Sequence, residues 1–164
     1  MAFIGLISDT HGYFDDRLKD FLKPVDVIWH AGDFGGEGMP ARIASFKPLI
    51  GVYGNCDGQD VHIDYPRVQL IEMQGMKILM THIGGYPGHY DPYIHNLIEA
   101  HRPNIFVCGH SHILRVVNDR HYDMLVLNPG AAGLQGFHLV RTALRFKIED
   151  STIKDMEVGE WPRD

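Results

Sequence analysis

Two histidines separated by one residue follow a short apolar run in the second half of the chain. His110 and His112 lie in the sequence Gly-His-Ser-His, directly after the strand-like run 105–107. Alternate side chains of an extended segment share one face, so both imidazoles can point into one space. Imidazole is the commonest metal ligand among side chains. Such a pair, taken alone, is more often hydrogen-bonded to loop backbone, so its interpretation depends on the rest of the chain.

Four other predicted strands also end in polar side chains that can bind metal, each close to a glycine. These side chains are Asp9 and His11, Asp33, Asn55, and His82. In open α/β sheets, ligands bind in the crevice beyond the carboxyl ends of the strands. Aspartate and asparagine beside glycine are also common turn residues, so each position alone is ambiguous. Five strand ends of this kind together predict one site.

The combined donor set indicates a site for two ions. Two aspartates, one asparagine and four histidines exceed what one tetrahedral ion needs and suit two divalent transition-metal ions. Asp33 is the predicted bridge between them. Two ions about 3.5–4 Å apart can hold a water as hydroxide and clamp the oxygens of an in-line displacement. Their charge exceeds that of the two carboxylates, which favours an anionic phosphoryl substrate.

The remaining histidines are predicted to have other roles. His30 lies close to Asp33 in sequence but outside the strand-end pattern, so we predict a packed residue that supports the site. The other histidines with a default assignment to the surface are His62, His95, His101, His121 and His138.

The elements that must position these residues follow an α/β pattern. The predicted strands are 2–7, 25–29, 48–53, 68–73, 76–80, 105–107, 113–117, 124–127, 137–148 and 152–158. Helices are predicted from Asp15 or Asp16, around Pro40, and from Asp91-Pro92 with Tyr93 on the apolar face. A βαβαβ unit followed by mostly antiparallel strands predicts two packed sheets with helices outside. We expect one domain over residues 1–164.

Composition limits the classes of partner. With 45% hydrophobic residues, 22% charged residues and a net charge of -6, the chain has the composition of a soluble globular protein. The sequence has no block of lysine or arginine, so nucleic-acid binding is not expected. No apolar run approaches the roughly 20 residues of a membrane span. The apolar N-terminus without a basic region predicts a first strand and no signal peptide. Two cysteines cannot form a disulfide framework, which favours the cytoplasm. Homo-oligomer formation is neither required nor excluded.

The ordered motifs Ser-Asp-Thr-His-Gly, Gly-Asp-Phe-Gly-Gly, Gly-Asn-Cys-Asp, Thr-His and Gly-His-Ser-His resemble those of the calcineurin-like metallophosphoesterase superfamily. The short chain is similar to its small phosphodiesterases of the YfcE type. The resemblance spans residues 8–112 and implies a four-layer αββα sandwich with a dinuclear centre. It implies one ion held by Asp9, His11, Asp33 and His112, and another held by Asp33, Asn55, His82 and His110. Mn²⁺ is the first expectation, with Ni²⁺, Zn²⁺, Fe²⁺ or Co²⁺ as alternatives.

The sequence departs from the superfamily at one chemically important position. The segment Asn55, Cys56 and Asp57 is the expected catalytic segment, and many members have histidine where this chain has Cys56. That histidine is thought to protonate the leaving group, whereas a neutral thiol has a reference pKa of about 8.5. His89 is a candidate substitute. The leading hypothesis is a phosphodiesterase acting on a small phosphate ester. The alternatives are a phosphomonoesterase, a nucleotide pyrophosphohydrolase, or a scaffold resembling the retromer subunit Vps29.

Overall fold

The computed structural model describes residues 1–163, which form ten strands and four helices. The strands are β1 (Ala2–Ile7), β2 (Val27–His30), β3 (Leu49–Gly51), β4 (Val68–Met73), β5 (Met76–Thr81), β6 (Ile105–Val107), β7 (Leu114–Asp119), β8 (Met124–Pro129), β9 (Val140–Glu149) and β10 (Thr152–Pro162). The helices are α1 (Asp16–Leu22), α2 (Met39–Phe46), α3 (Gln59–Asp64) and α4 (Pro92–His101). In this described part of the chain, no helix has the length and apolarity needed to cross a membrane.

The strands form two mixed five-stranded sheets. The first has the order β10-β9-β1-β2-β3, in which β1, β2 and β3 are parallel and β9 runs antiparallel to β1. The second has the order β4-β5-β6-β8-β7, in which β5, β6 and β8 are parallel. The carboxyl ends of parallel strands therefore meet at one edge of each sheet.

Three hydrophobic clusters separate four layers. Alternation along β1 divides its side chains, because Ile4 and Leu6 pack between the two sheets whereas Ile7 faces the helices. The cluster containing Ile7 also includes residues of α1, α2 and α3, so these helices cover the first sheet. Ile94 and Ile98 of α4 pack on Phe106 and cover the second sheet. The predicted α/β fold of two mixed sheets flanked by helices is confirmed.

The helix starts and the first hairpin agree with the sequence analysis. The Asp15 side chain accepts a hydrogen bond from the backbone N–H of Leu18 and caps α1, and Asp91 caps α4 in the same way. Gln74 and Gly75 both have positive φ, as in the two-residue hairpin turn whose twist matches that of the flanking strands.

Several structural details differ from the sequence analysis. Four of the six pairings made by the strands after β3 are antiparallel, as predicted, but β5, β6 and β8 run parallel in the second sheet. The crossover through α4 explains the difference, because it returns the chain to start β6 beside β5 in the same direction. The polar helix α3 was missed, and β9 begins at Val140 instead of 137. Tyr93 is exposed, with the Arg67 guanidinium 4.3 Å from its ring centre.

Candidate metal centre

All seven predicted ligands lie on loops that leave the carboxyl ends of five strands. The first sheet supplies Asp9 and His11 after β1, Asp33 after β2 and Asn55 after β3, and the second supplies His82 after β5 and His110 and His112 after β6. The two sheets face each other, so their loops converge from opposite sides. The structure thus brings together residues up to 103 positions apart in sequence.

Two groups of three side chains have the spacing of metal ligands. In one group, ligand atoms of Asp9, His11 and His112 lie within 4.8 Å of one another, and in the other the same holds for Asp33, His82 and His110. Atoms bound about 2.1 Å from one ion stand roughly 3.0–3.4 Å apart in octahedral or tetrahedral geometry. His112 Nε2 is 3.1 Å from Asp9 Oδ1, and His82 Nε2 is 3.2 Å from Asp33 Oδ2. The donor atoms therefore fit divalent ions with little adjustment.

One oxygen of Asp33 faces both groups. Its Oδ2 lies 3.6 Å from His11 Nε2 and 3.2 Å from His82 Nε2, while Oδ1 accepts a hydrogen bond from the backbone N–H of Cys56 at 2.8 Å. Asp9 Oδ1 also lies between the groups, but its distance to His82 Nε2 is 3.9 Å. The shorter pair of distances favours Asp33 as the carboxylate shared by two ions.

The imidazole of His82 carries a buried nitrogen without a hydrogen-bond partner. Its Nδ1 lies 2.7 Å from the Ala31 carbonyl oxygen, which can only accept, so Nδ1 carries the proton. Nε2 then faces two buried carboxylates and makes no hydrogen bond. Burial opposes protonation, yet Asp33 and Asp9 raise the pKa of His82. The carboxylates therefore favour positive charge at this nitrogen, as a proton or as a bound cation, and the donor set fits a divalent metal.

The side chains of Asp9 and Asp33 both have lowered pKa values and are ionised at neutral pH. Burial alone would raise the pKa of Asp9, but hydrogen bonds from His11 and His112 hold it far below its ordinary value. The pKa of Asp33 is also lowered, because His82 outweighs the effect of burial. Asp9 Oδ2 further accepts hydrogen bonds from Ser8 Oγ at 2.6 Å and from the His110 backbone N–H at 3.1 Å.

The backbone of the candidate ligands is strained. Five of the seven have a positive φ between 44° and 70°; these are Asp9, His11, Asp33, His110 and His112. The left-handed region costs an L-residue roughly 1 kcal/mol or more. These five positions therefore carry aspartate or histidine although their backbone conformation favours glycine. This pattern is typical of a site that the surrounding fold holds in place for function.

Asn55, Cys56 and Asp57 lie on the loop after β3 and make different contacts. Asn55 Oδ1 is 3.1 Å from His110 Nδ1, a distance suitable for two ligands of one ion. Cys56 is exposed beside the two groups, and partial desolvation of its sulfur together with Asp33 raises the pKa of its thiol. Asp57 accepts three backbone hydrogen bonds, so its carboxylate is engaged in holding loops.

The predicted supporting role of His30 has a specific geometry. The Gly32 backbone N–H donates to His30 Nδ1 at 3.1 Å, so Nε2 carries the proton and donates to Thr10 Oγ1 at 2.9 Å. The fully buried ring stacks on Phe34, and burial lowers its pKa to about 3. Neutral His30 therefore ties the loop of Asp9 and His11 to the loop of Asp33.

The candidate centre opens into a cavity of about 480 Å³. It is lined by His11, Asp33, Asn55, Cys56, His110, Ser111, His112, Ile113, Gln135, Gly136, Phe137 and His138. The surface assignment of His138 was wrong: this residue is half-buried, and its ring lies edge-on to His112 with the centroids 5.2 Å apart. The sequence analysis placed this residue in the predicted strand 137–148, whereas β9 begins at Val140, so it gave no signal of this contact. His89 is exposed, packs on Tyr86 and does not line the cavity.

Comparisons with known proteins agree with this geometry. The sequence profile described as a calcineurin-like phosphoesterase superfamily domain matches residues 2–151. A probable metallophosphoesterase of Methanothermobacter thermautotrophicus is 28% identical over 135 residues, which cover 78% of this chain and 76% of that protein.

Two solved structures show the same fold at low sequence identity. The Zn²⁺ complex of Vps29 from Entamoeba histolytica has a TM-score of 0.74 at 16% identity, with 99% of both chains covered. A structure described as a novel archaeal phosphodiesterase has a TM-score of 0.70 at 21% identity, with 95% of this chain and 99% of that chain covered. The profile match over nearly the whole chain, on a fold with two ligand groups at facing strand ends, shows that the chain belongs to the calcineurin-like phosphoesterase superfamily.

Proposed function

We propose that this protein is a metal-dependent phosphodiesterase with a dinuclear centre. The observation that carries the proposed metal centre is His82 Nε2, which is buried against two carboxylates and has no hydrogen-bond partner. Asp9, His11, Asp33 and His112 would hold one ion, and Asp33, Asn55, His82 and His110 the other. When bound, two divalent ions supply an activated water and positive charge for the phosphoryl oxygens.

The chain's own groups have three tasks in this proposal. The Asp33 backbone and side chain are fixed by Asp57 and by the Cys56 N–H, which keeps the shared carboxylate in position. The imidazole of His30 is too weak a base to charge at neutral pH and serves to brace two loops. The Cys56 thiol, protonated and exposed at the cavity, is the nearest candidate to donate a proton to a leaving group.

The phosphodiester assignment is supported by the archaeal neighbour described as a phosphodiesterase. The neutral thiol at Cys56 bears on the leaving group: a thiol is a poor substitute for imidazolium, so substrates with good leaving groups should be favoured. Mn²⁺ is the first ion proposed for loading, because the carboxylate and amide oxygens suit it, although the four imidazoles equally suit Zn²⁺, Fe²⁺ or Ni²⁺. The free thiols of Cys56 and Cys108 fit the proposed cytoplasmic location.

A scaffold function like that suggested by the Vps29 neighbours is the second candidate. Because one of those neighbours is a Zn²⁺ complex, metal binding does not separate the two functions. Hydrolysis of a substrate does, because only the enzyme turns over. The discriminating experiment loads the protein with Mn²⁺, measures stoichiometry by elemental analysis, and assays phosphodiesters, phosphomonoesters and nucleotides in parallel.

We expect two ions per chain and fastest hydrolysis of an activated phosphodiester. Asp33→Asn should abolish turnover, whereas Asp20→Asn, the same change on the exposed face of α1, should have no effect. One ion or fewer at saturating metal would contradict the dinuclear centre. Two bound ions without hydrolysis of any ester would contradict the enzymatic function and favour the scaffold.

A further inference from the structure

The cavity above the candidate centre has one wall that the proposed chemistry does not use. Ile113 and Phe137 line the same space as the metal-binding side chains. Ile113 is 57% exposed and Phe137 is fully exposed, so neither contributes to the core. Both line the same cavity, so their exposed apolar surface is available to a ligand bound there. Because Ile113 directly follows His112, this apolar wall begins one residue after a candidate ligand.

The loop that carries Phe137 is anchored beside the centre. Arg163 Nη1 donates hydrogen bonds to the carbonyl oxygens of Gly136 at 2.6 Å and His138 at 2.7 Å. Gly136 packs on His112 so closely that a Cβ would lie 2.3 Å from His112 Nδ1, and its φ of 132° also favours glycine. The loop is therefore fixed against the His112 ring, with Phe137 presented at the cavity.

The charges of the cavity select against further anionic groups on a substrate. Among the described residues that line it, none is a lysine or an arginine. Arg163 does not line the cavity, and its Nη1 donates to two carbonyl oxygens of the loop. A phosphoryl group can be neutralised at the metal centre, whereas a second phosphate would find only neutral and apolar groups. An uncharged apolar substituent instead gains contact with the exposed side chains.

We propose that Ile113 and Phe137 form a subsite for an aromatic or other apolar ester substituent of the phosphodiester substrate. The inference rests on the proposed function, because the metal centre must hold the phosphoryl group. It names the substrate class more narrowly: diesters with an uncharged apolar group are preferred over nucleotide polyphosphates. Phe137 is then a specificity-determining residue that contacts the group beside the phosphorus atom.

The test compares two diesters that share one leaving group. Phenyl 4-nitrophenyl phosphate and methyl 4-nitrophenyl phosphate both release nitrophenolate and differ only in the retained substituent. We expect kcat/KM of the Mn²⁺-loaded enzyme to favour the phenyl ester by about tenfold, and Phe137→Ala to reduce that ratio about three- to tenfold. Leu139→Ala is the matched control, since Leu139 is 90% exposed two residues away but does not line the cavity.

A binding measurement separates this inference from the proposed function. Calorimetric titration of the Mn²⁺-loaded protein with phenylphosphonate and methylphosphonate needs no turnover and should show the same preference and the same loss in Phe137→Ala. If neither diester is hydrolysed but phenylphosphonate binds with this pattern, the subsite stands and the phosphodiesterase proposal fails. The subsite is refuted if both diesters react with a ratio that Phe137→Ala leaves unchanged, if Leu139→Ala changes it equally, or if a nucleoside triphosphate is the better substrate.

Discussion

Removal of the Asp57 carboxylate should loosen two ligand-bearing loops at once. Its Oδ2 accepts hydrogen bonds from the backbone N–H groups of Asp33 at 2.9 Å and Gly54 at 2.8 Å, and its Oδ1 accepts one from Gly35 at 3.2 Å. Gly54 also packs directly on Asp33, where a Cβ would lie 2.1 Å from Oδ1. Asp57 therefore acts on the candidate centre through the loops of Asp33 and Asn55.

The expected loss of stability follows from these three bonds. Each contributes about 1 kcal/mol at this half-buried position, so Asp57→Ala should lower the free energy of unfolding by about 3 kcal/mol. For a chain of this length that corresponds to a fall in Tm of roughly 6–12 °C. Asp57→Asn can keep the two bonds to one oxygen but turns an NH₂ group toward Gly35, so about half of the loss is expected. Metal affinity should fall about 10–100-fold in either variant.

Thermal unfolding and Mn²⁺ titration of the same preparations test this reasoning. Asp60→Asn is the control, because it removes one carboxylate charge from an exposed position three residues away. We expect Asp57→Ala to lower Tm and metal affinity the most, Asp57→Asn to lower them less, and Asp60→Asn to leave both unchanged. A variant of Asp57 with unchanged Tm and metal affinity but no turnover would refute the positioning role and assign the carboxylate to proton transfer.

Three further changes test individual residues. Asp33→Asn should reduce kcat/KM on the order of 10³-fold or more with the fold intact; an equal loss in the exposed His95→Ala variant would contradict the ligand assignment. Cys56→Ala should hydrolyse a nitrophenyl diester at a rate within roughly tenfold of the parent, because its backbone N–H still reaches Asp33. Cys56→His should raise the rate on an alkyl diester by about 10²-fold. An inactive Cys56→Ala that folds and binds metal would contradict this prediction. Burial lowers the pKa of His30 to about 3, so its contribution to stability is complete above about pH 6.5 and is lost as pH falls toward 3. The stability gap between the metal-free parent and His30→Gln should therefore narrow on acidification in denaturant titrations, and a constant gap would contradict it.

The parts of the fold that sequence could predict are those with a local physical signal. The caps Asp15 and Asp91 start helices because their side chains bind free backbone N–H groups of the first turn. Helix α3 has six residues with only Val61 buried, so no apolar period marks it. The parallel direction of β6 and β8 depends on which strands pair across the sheet, and that choice is made by tertiary packing.

The features of the candidate site likewise fall into those that the sequence could predict and those that depend on tertiary contacts. The seven predicted ligands were recognisable because strand ends followed by glycine place side chains at one edge of a sheet. The backbone role of Cys56 and the loop contacts of Asp57 were not, since both arise from a loop that closes onto another strand's end. His138 was missed for a related reason: the sequence analysis placed it in a strand, whereas its contact with His112 is created by the loop before β9.

The position of the centre between two sheets has a consequence for the order of folding. Thr10 and Phe34 on the first sheet's loops are joined across 24 residues, whereas His112 meets Asp9 across 103 residues. Closing the longer loop costs about 1 kcal/mol more in chain entropy, so the ligands of the first sheet can come together before the histidines of the second sheet arrive. An emerging polypeptide thus has incomplete coordination until both sheets have met. Tight metal binding at the proposed centre would then require both sheets, and bound metal would in turn stabilise their association.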